Sequence, residues 1–145
     1  MKMPDTLDES MIAPCGVSCF ACYARFPKRK EPCPGCRAPE EQITRDSCKR
    51  CTIRSCAREH GVTFCAACED FPCQTLKPLH KRYQSIQKID LAANGREASR
   101  DVTAFLAQQK DCYTCKHCGG IINMHYAVCS DCGEKSSADS ISTPR

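Results

Sequence analysis

The chain has no tryptophan, only five phenylalanines and four tyrosines, and no apolar run that approaches the length of a membrane-crossing helix. Its seven glycines never gather into a phosphate-cradling loop. No HExxH helix, no Ser/His/Asp arrangement and no recognisable pair of carboxylates can be placed on it either. These absences remove the usual signatures of hydrolases and nucleotide enzymes, so the expectation leans away from catalysis. The first ten residues lack a continuous apolar stretch, so no leader or membrane anchor is expected there. Large apolar side chains are too scarce for an ordinary core, and chains of that kind need staples.

Cysteine is what the chain has instead, sixteen in 145 residues. Composition at that level signals either a disulfide scaffold or a metal protein. The expected compartment is cytoplasmic, where thiols stay reduced and paired cysteines serve as metal ligands. Bound metal then supplies folding free energy directly, on the order of 10 kcal/mol per structural zinc.

The clearest motif is Cys115-Lys116-His117-Cys118-Gly119, answered by Cys129-Ser130-Asp131-Cys132-Gly133, with ten residues between Cys118 and Cys129. Each Cys-x-x-Cys turn aims two thiolates at one point, and the following glycine supplies the positive φ that turns the chain away. The intervening residues suffice for a short hairpin, so Cys115, Cys118, Cys129 and Cys132 are expected to hold one Zn²⁺ in a zinc ribbon.

Eleven further cysteines precede the ribbon: Cys15, Cys19, Cys22, Cys33, Cys36, Cys48, Cys51, Cys56, Cys65, Cys68 and Cys73. All are candidate metal ligands, and several structural zinc sites are expected. Eleven is one short of three tetrahedra. His60 could supply a twelfth ligand or be an exposed helix-end histidine, and two sites with three spare thiols also fit. Spacing does not say which knuckles pair, and Cys112 is surplus. The Cys15-x-x-x-Cys19-x-x-Cys22 spacing leaves an iron–sulfur cluster or thiol-redox role as the alternative, although a full radical enzyme needs a barrel much longer than this chain.

Residues 52–60 are expected to form a short helix stopped at Gly61. Downstream, Leu76, Leu79, Tyr83 and Ile86 fall at three- and four-residue steps and predict an apolar helical stripe. Asn94-Gly95 reads as a turn, and Ala98, Val102, Phe105 and Leu106 predict a second helix from about Arg96 to Gln109. The expected fold is thus a small metal-stabilised α+β chain. A flexible lead-in (1–11) precedes an irregular multi-cysteine-knuckle domain (12–75), a short helical pair (76–110), a zinc-ribbon hairpin (111–135) and a disordered tail (136–145).

Formal charge is −1 over residues 1–26, +5 over 27–90 and 0 over 91–145. Lys28, Arg29, Lys30, Lys49, Arg50, Lys77, Lys81 and Arg82 carry much of the excess. Since a four-thiolate zinc site is about −2, their expected task is to offset cysteinate charge or remain solvated. A protein partner is therefore expected; nucleic acid is a less favoured option and a membrane is not expected.

With the motifs placed, the chain resembles a bacterial and archaeal cysteine-rich family, domain of unknown function thirty-seven ninety-five. The resemblance rests on Cys15-Gly16-Val17-Ser18-Cys19-Phe20-Ala21-Cys22, Cys33-Pro34-Gly35-Cys36, Cys51 through Ala57, and Phe64-Cys65-Ala66-Ala67-Cys68-Glu69-Asp70-Phe71-Pro72-Cys73. It extends, as in longer members, through a helical stretch and a ribbon to about residue 135. It implies metal binding, with zinc as the expected ion, and no established reaction; Cys48 and Cys112 match its pattern less closely.

Overall fold

Two aspartates start the helices on which the rest of the chain packs. Asp90 accepts from the Ala93 N–H at 2.9 Å and Asp101 from the Ala104 N–H at 3.0 Å, each through its carboxylate. Such caps satisfy backbone donors that have no partner inside the helix. They open α4 (Leu91–Arg100) and α5 (Val102–Tyr113), which follow α3 (Lys77–Ile86). The computed structural model describes residues 1–26 and 32–137. Two shorter helices, α1 (Asp46–Lys49) and α2 (Thr52–Glu59), lie in the cysteine-rich half. An antiparallel hairpin of β1 (Ile122–Asn123) and β2 (Val128–Cys129) completes a small α+β fold, with Ile122 opposite Cys129 and Asn123 opposite Val128.

The expected helical pair is three helices, for two physical reasons. First, the turn signal at Asn94-Gly95 lies inside α4, where Asn94 and Gly95 are buried. A Cβ built at Gly16 would stand 2.7 Å from the Leu91 carbonyl oxygen and 3.0 Å from the Gly95 nitrogen. Gly16, at φ +101, thus lets the first cysteine loop press on the helix backbone, and packing overrides the local turn preference. Second, the Ala98-to-Leu106 stripe is broken at Asp101, so Ala98 belongs to α4 and Val102 starts α5.

The α3 stripe is correct for Leu76 and Tyr83, which are buried, but Ile86 is 64% exposed. The helix ends there and the chain reverses through Lys88, at φ 60, so Ile89 enters the core instead. The helix expected over 52–60 is present as α2, and Gly61 follows it at φ +65.

One buried cluster runs through the cysteine-rich segment, the helices and the ribbon, taking in Ile12, Phe20, Leu91, Phe105, Tyr113 and Met124. Phe20 meets Tyr113 edge-on, with ring centroids 5.9 Å apart. The lead-in read as flexible is laid against the ribbon. Met3 N–H donates to the Gly119 carbonyl at 3.0 Å, and Ile121 N–H donates to the Met1 carbonyl at 2.9 Å. Within the expected tail, Ser136 N–H still donates to the Ala127 carbonyl at 2.8 Å. Residues 138–145 of that tail, and Lys28, Arg29 and Lys30, lie outside the described residues. No helix among the described residues is long and apolar enough to cross a membrane.

Candidate metal centres

In the ribbon, Gly119 (φ +76) and Gly133 (φ +75) turn the chain away just after Cys118 and Cys132. The sulfurs of Cys115, Cys118, Cys129 and Cys132 all lie within 4.8 Å of one another. Cys115 Sγ is 3.7 Å from Cys132 Sγ, and Cys118 Sγ is 3.5 Å from Cys129 Sγ. Four donors at 2.3 Å around one ion would have an edge of about 3.8 Å, so the set is of single-ion size. Gly120 leaves the room required: a Cβ there would stand 2.8 Å from Cys129 Sγ and 3.2 Å from Cys118 Sγ. Its N–H donates to Cys118 Sγ at 3.4 Å, and that bond leads the effects that bring the Cys118 thiol down to about 6. The four sulfurs could thus hold a metal ion.

Of the other eleven cysteines, Cys15, Cys19, Cys22, Cys33, Cys36, Cys48 and Cys51 wall one cavity of about 120 Å³. Their apolar packing divides them. Cys15, Cys19, Cys36 and Cys51 belong to the main cluster, whereas Cys22, Cys33 and Cys48 form a satellite with Ala24, Tyr23 and Ile43. The Cys36 thiol is pushed well above the ordinary range, with its neighbour Cys19 the leading cause. Burial leads the rise at Cys15 and also at Cys65, which reaches about 11.

After burial, Cys73, Cys56 and Cys68 each raise the charging cost of Cys65, so these four cysteines share another neighbourhood. His60, Cys68 and Asp70 also bring three donor atoms within 4.8 Å, with His60 and Asp70 exposed. His60 Nδ1 lies 2.8 Å from the Cys56 carbonyl oxygen, so its proton sits on Nδ1 and Nε2 is the nitrogen left for a ligand role. Cys112 lies half-buried on α5, outside the ribbon set.

Sequence reasoning missed the polar wall of the seven-cysteine cavity. Arg45, Arg82 and Tyr83 line it alongside the cysteines. Burial, then Arg45 and Arg82, holds His125 at about 4, so its ring is neutral. Tyr23 N–H donates to His125 Nδ1 at 3.4 Å. The proton therefore sits on Nε2, which donates to the Tyr83 hydroxyl oxygen at 3.1 Å. Nothing in the spacing of residues 23, 45, 83 and 125 joins them; only the helix reversal and the hairpin turn do.

Residues 11–78 match the model of a family described as a protein of unknown function (DUF3795), the family that the cysteine motifs resemble. No curated protein and no solved structure matches the chain.

Proposed function

We propose that this chain is a zinc-binding, non-enzymatic module that presents its surface to a protein partner in a reducing, cytoplasmic compartment. The observation that carries the reading is the convergence of the Cys115, Cys118, Cys129 and Cys132 sulfurs on one point at separations suited to a single tetrahedral ion. Zn²⁺ suits such a closed thiolate set, since it has no redox chemistry and a structural site leaves no ligand position open. The cysteines of residues 15–73 add further zinc in the same role, coupling metal binding to folding. Their arginine neighbours offset thiolate charge, which is the task assigned to part of the basic excess.

A second reading has one specific observation behind it. Seven cysteines around a single cavity would also suit an iron–sulfur cluster, whose ligands are thiolates. Anaerobic purification of the full chain followed by elemental analysis and absorbance separates the two. Colourless protein with several zinc ions per chain supports the zinc module. Brown protein with stoichiometric iron and inorganic sulfide overturns it.

A further inference from the structure

We infer that His60, Cys68 and Asp70 form an open site for one divalent metal ion, with a coordination position left for water or an added donor. This goes beyond the closed, structural role proposed for the ribbon.

The three donors come from two pieces of backbone that packing holds in place. His60 closes α2, where its N–H donates to the Cys56 carbonyl at 3.0 Å. Gly61 then takes φ +65, and the Val62 N–H returns to the Ala57 carbonyl at 3.0 Å, so the helix end is fixed. Cys68 and Asp70 lie on the turn that follows the short 3₁₀ helix Cys65–Ala67. That turn is pinned at both ends. The Cys65 N–H donates to the Pro14 carbonyl at 2.9 Å, and the Arg96 guanidinium stands over the Phe71 ring, 5.2 Å from its centre. Within this frame, one ligand atom each from His60, Cys68 and Asp70 lies within 4.8 Å of the other two. The imidazole is oriented as well. Its Nδ1 is engaged by the Cys56 carbonyl at 2.8 Å, which leaves Nε2 for the ion, and metal-bound histidines are generally held in this way.

Donor chemistry selects the ion. One thiolate, one imidazole and one carboxylate match the mixed ligands that Zn²⁺ accepts, whereas Mg²⁺ and Ca²⁺ take oxygen. The formal charge also closes. A thiolate and a carboxylate neutralise a divalent ion, while the four thiolates of the ribbon leave about −2. The set has three members among the described residues, and a tetrahedral ion takes four. Cys68 is half-buried, whereas His60 and Asp70 are exposed, so the remaining ligand comes from the solvent side. Three protein ligands with one open position keep a zinc ion accessible, which the closed ribbon set does not. Asp70 is the member that counting cysteines leaves out.

The test uses the full reduced chain under anaerobic conditions, dialysed against a weak chelator and then titrated with Co²⁺ as the probe. One Co²⁺ per chain should enter with bands characteristic of a single thiolate ligand, and those bands should shift when imidazole is added. The ribbon zinc should stay bound throughout. His60→Ala and Asp70→Asn, both at exposed positions and checked for folding by circular dichroism, should weaken that Co²⁺ binding by about tenfold or more. Cys68→Ser should remove the sulfur-to-cobalt charge-transfer band. The His60 ring protons of the parent chain should be shifted by the bound Co²⁺, and this decides if a variant does not fold. Cobalt binding unchanged in both His60→Ala and Asp70→Asn would overturn the site, as would a spectrum of several thiolates or bands that ignore imidazole. Iron and sulfide in the chain as purified would instead overturn the zinc module; the two variants decide this site in either case.

Discussion

Tyr83 and His125 meet at 3.1 Å, hydroxyl oxygen to Nε2, and so tie α3 to the turn of the ribbon hairpin beside the seven-cysteine cavity. The bond is partly buried, and the imidazole it uses is neutral. Removing the hydroxyl in Tyr83→Phe should cost about 1 kcal/mol, because the Nε2–H then loses its acceptor. Urea unfolding of the metal-loaded protein measures it, and a cycle with His125→Phe separates the pair from other losses.

The same histidine sets a pH dependence. Its folded value, about 4, lies below the ordinary histidine value of 6.5, so between those limits the unfolded chain binds the extra proton. Stability linked to His125 is therefore fully present above pH 6.5 and declines as pH falls toward 4. In His125→Phe this contribution disappears. Urea midpoints of the two proteins, compared at fixed free zinc across that window, should converge on acidification.

Gly16 and Gly95 face one another, yet substitutions at them should have opposite effects. Gly16→Ala places a methyl group 2.7 Å from the Leu91 carbonyl oxygen at φ +101, and should destabilise by about 1–3 kcal/mol. Gly95→Ala meets only Ala66 and Phe71, at 3.6 and 4.0 Å, inside a helix. It should be neutral or stabilising by up to about 1 kcal/mol. Thermal unfolding of the two metal-loaded variants checks both signs.

Cys118→Ser should remove one metal ion per chain and loosen more than the ribbon. Hydrogen exchange should accelerate across residues 113–135, and also in residues 1–3, which pair with Gly119 and Ile121. Unchanged exchange in both segments, with the ion retained, would contradict the assignment of Cys118 as a ligand.

Lys81 and Arg82 lie exposed on α3. The parent chain and Lys81→Glu should both bind nucleic acid only weakly and without sequence preference. Titration of labelled RNA and DNA across a salt series tests this, since true recognition by a basic face would weaken steeply with salt.

Much of the ribbon was legible because its chemistry is local. Cys-x-x-Cys-Gly specifies two sulfurs and a left-handed residue within five positions, and Gly119 and Gly133 take that conformation. The α2 helix was legible for the same reason, with Gly61 as its stop. The helical region was misread where a distant contact decided the outcome. Asn94-Gly95 is a turn signal until the Gly16 loop packs on it, and an apolar stripe at helical steps does not reveal the Asp101 break. Ile86 fits the α3 period but sits on the last residue before the chain reverses. The grouping of the eleven upstream cysteines was out of reach because it depends on packing between segments far apart in the chain. Ile43, for example, joins Cys22, Cys33 and Cys48.

The contacts of Met1 and Met3 with the ribbon, and of Ala21 with Met124, join segments about a hundred residues apart. A ribosome releases the cysteines of residues 15–73 well before the strand that covers them. During that interval the upstream thiols have no complete hydrophobic shelter, and long-range closure comes late in any case. Any metal bound there at that stage would be held by a nascent, partly open chain, in competition with oxidation and with wrong pairings among eleven neighbouring sulfurs. Moving the ribbon to the front of the chain by circular permutation would reverse that order of emergence while keeping every ligand.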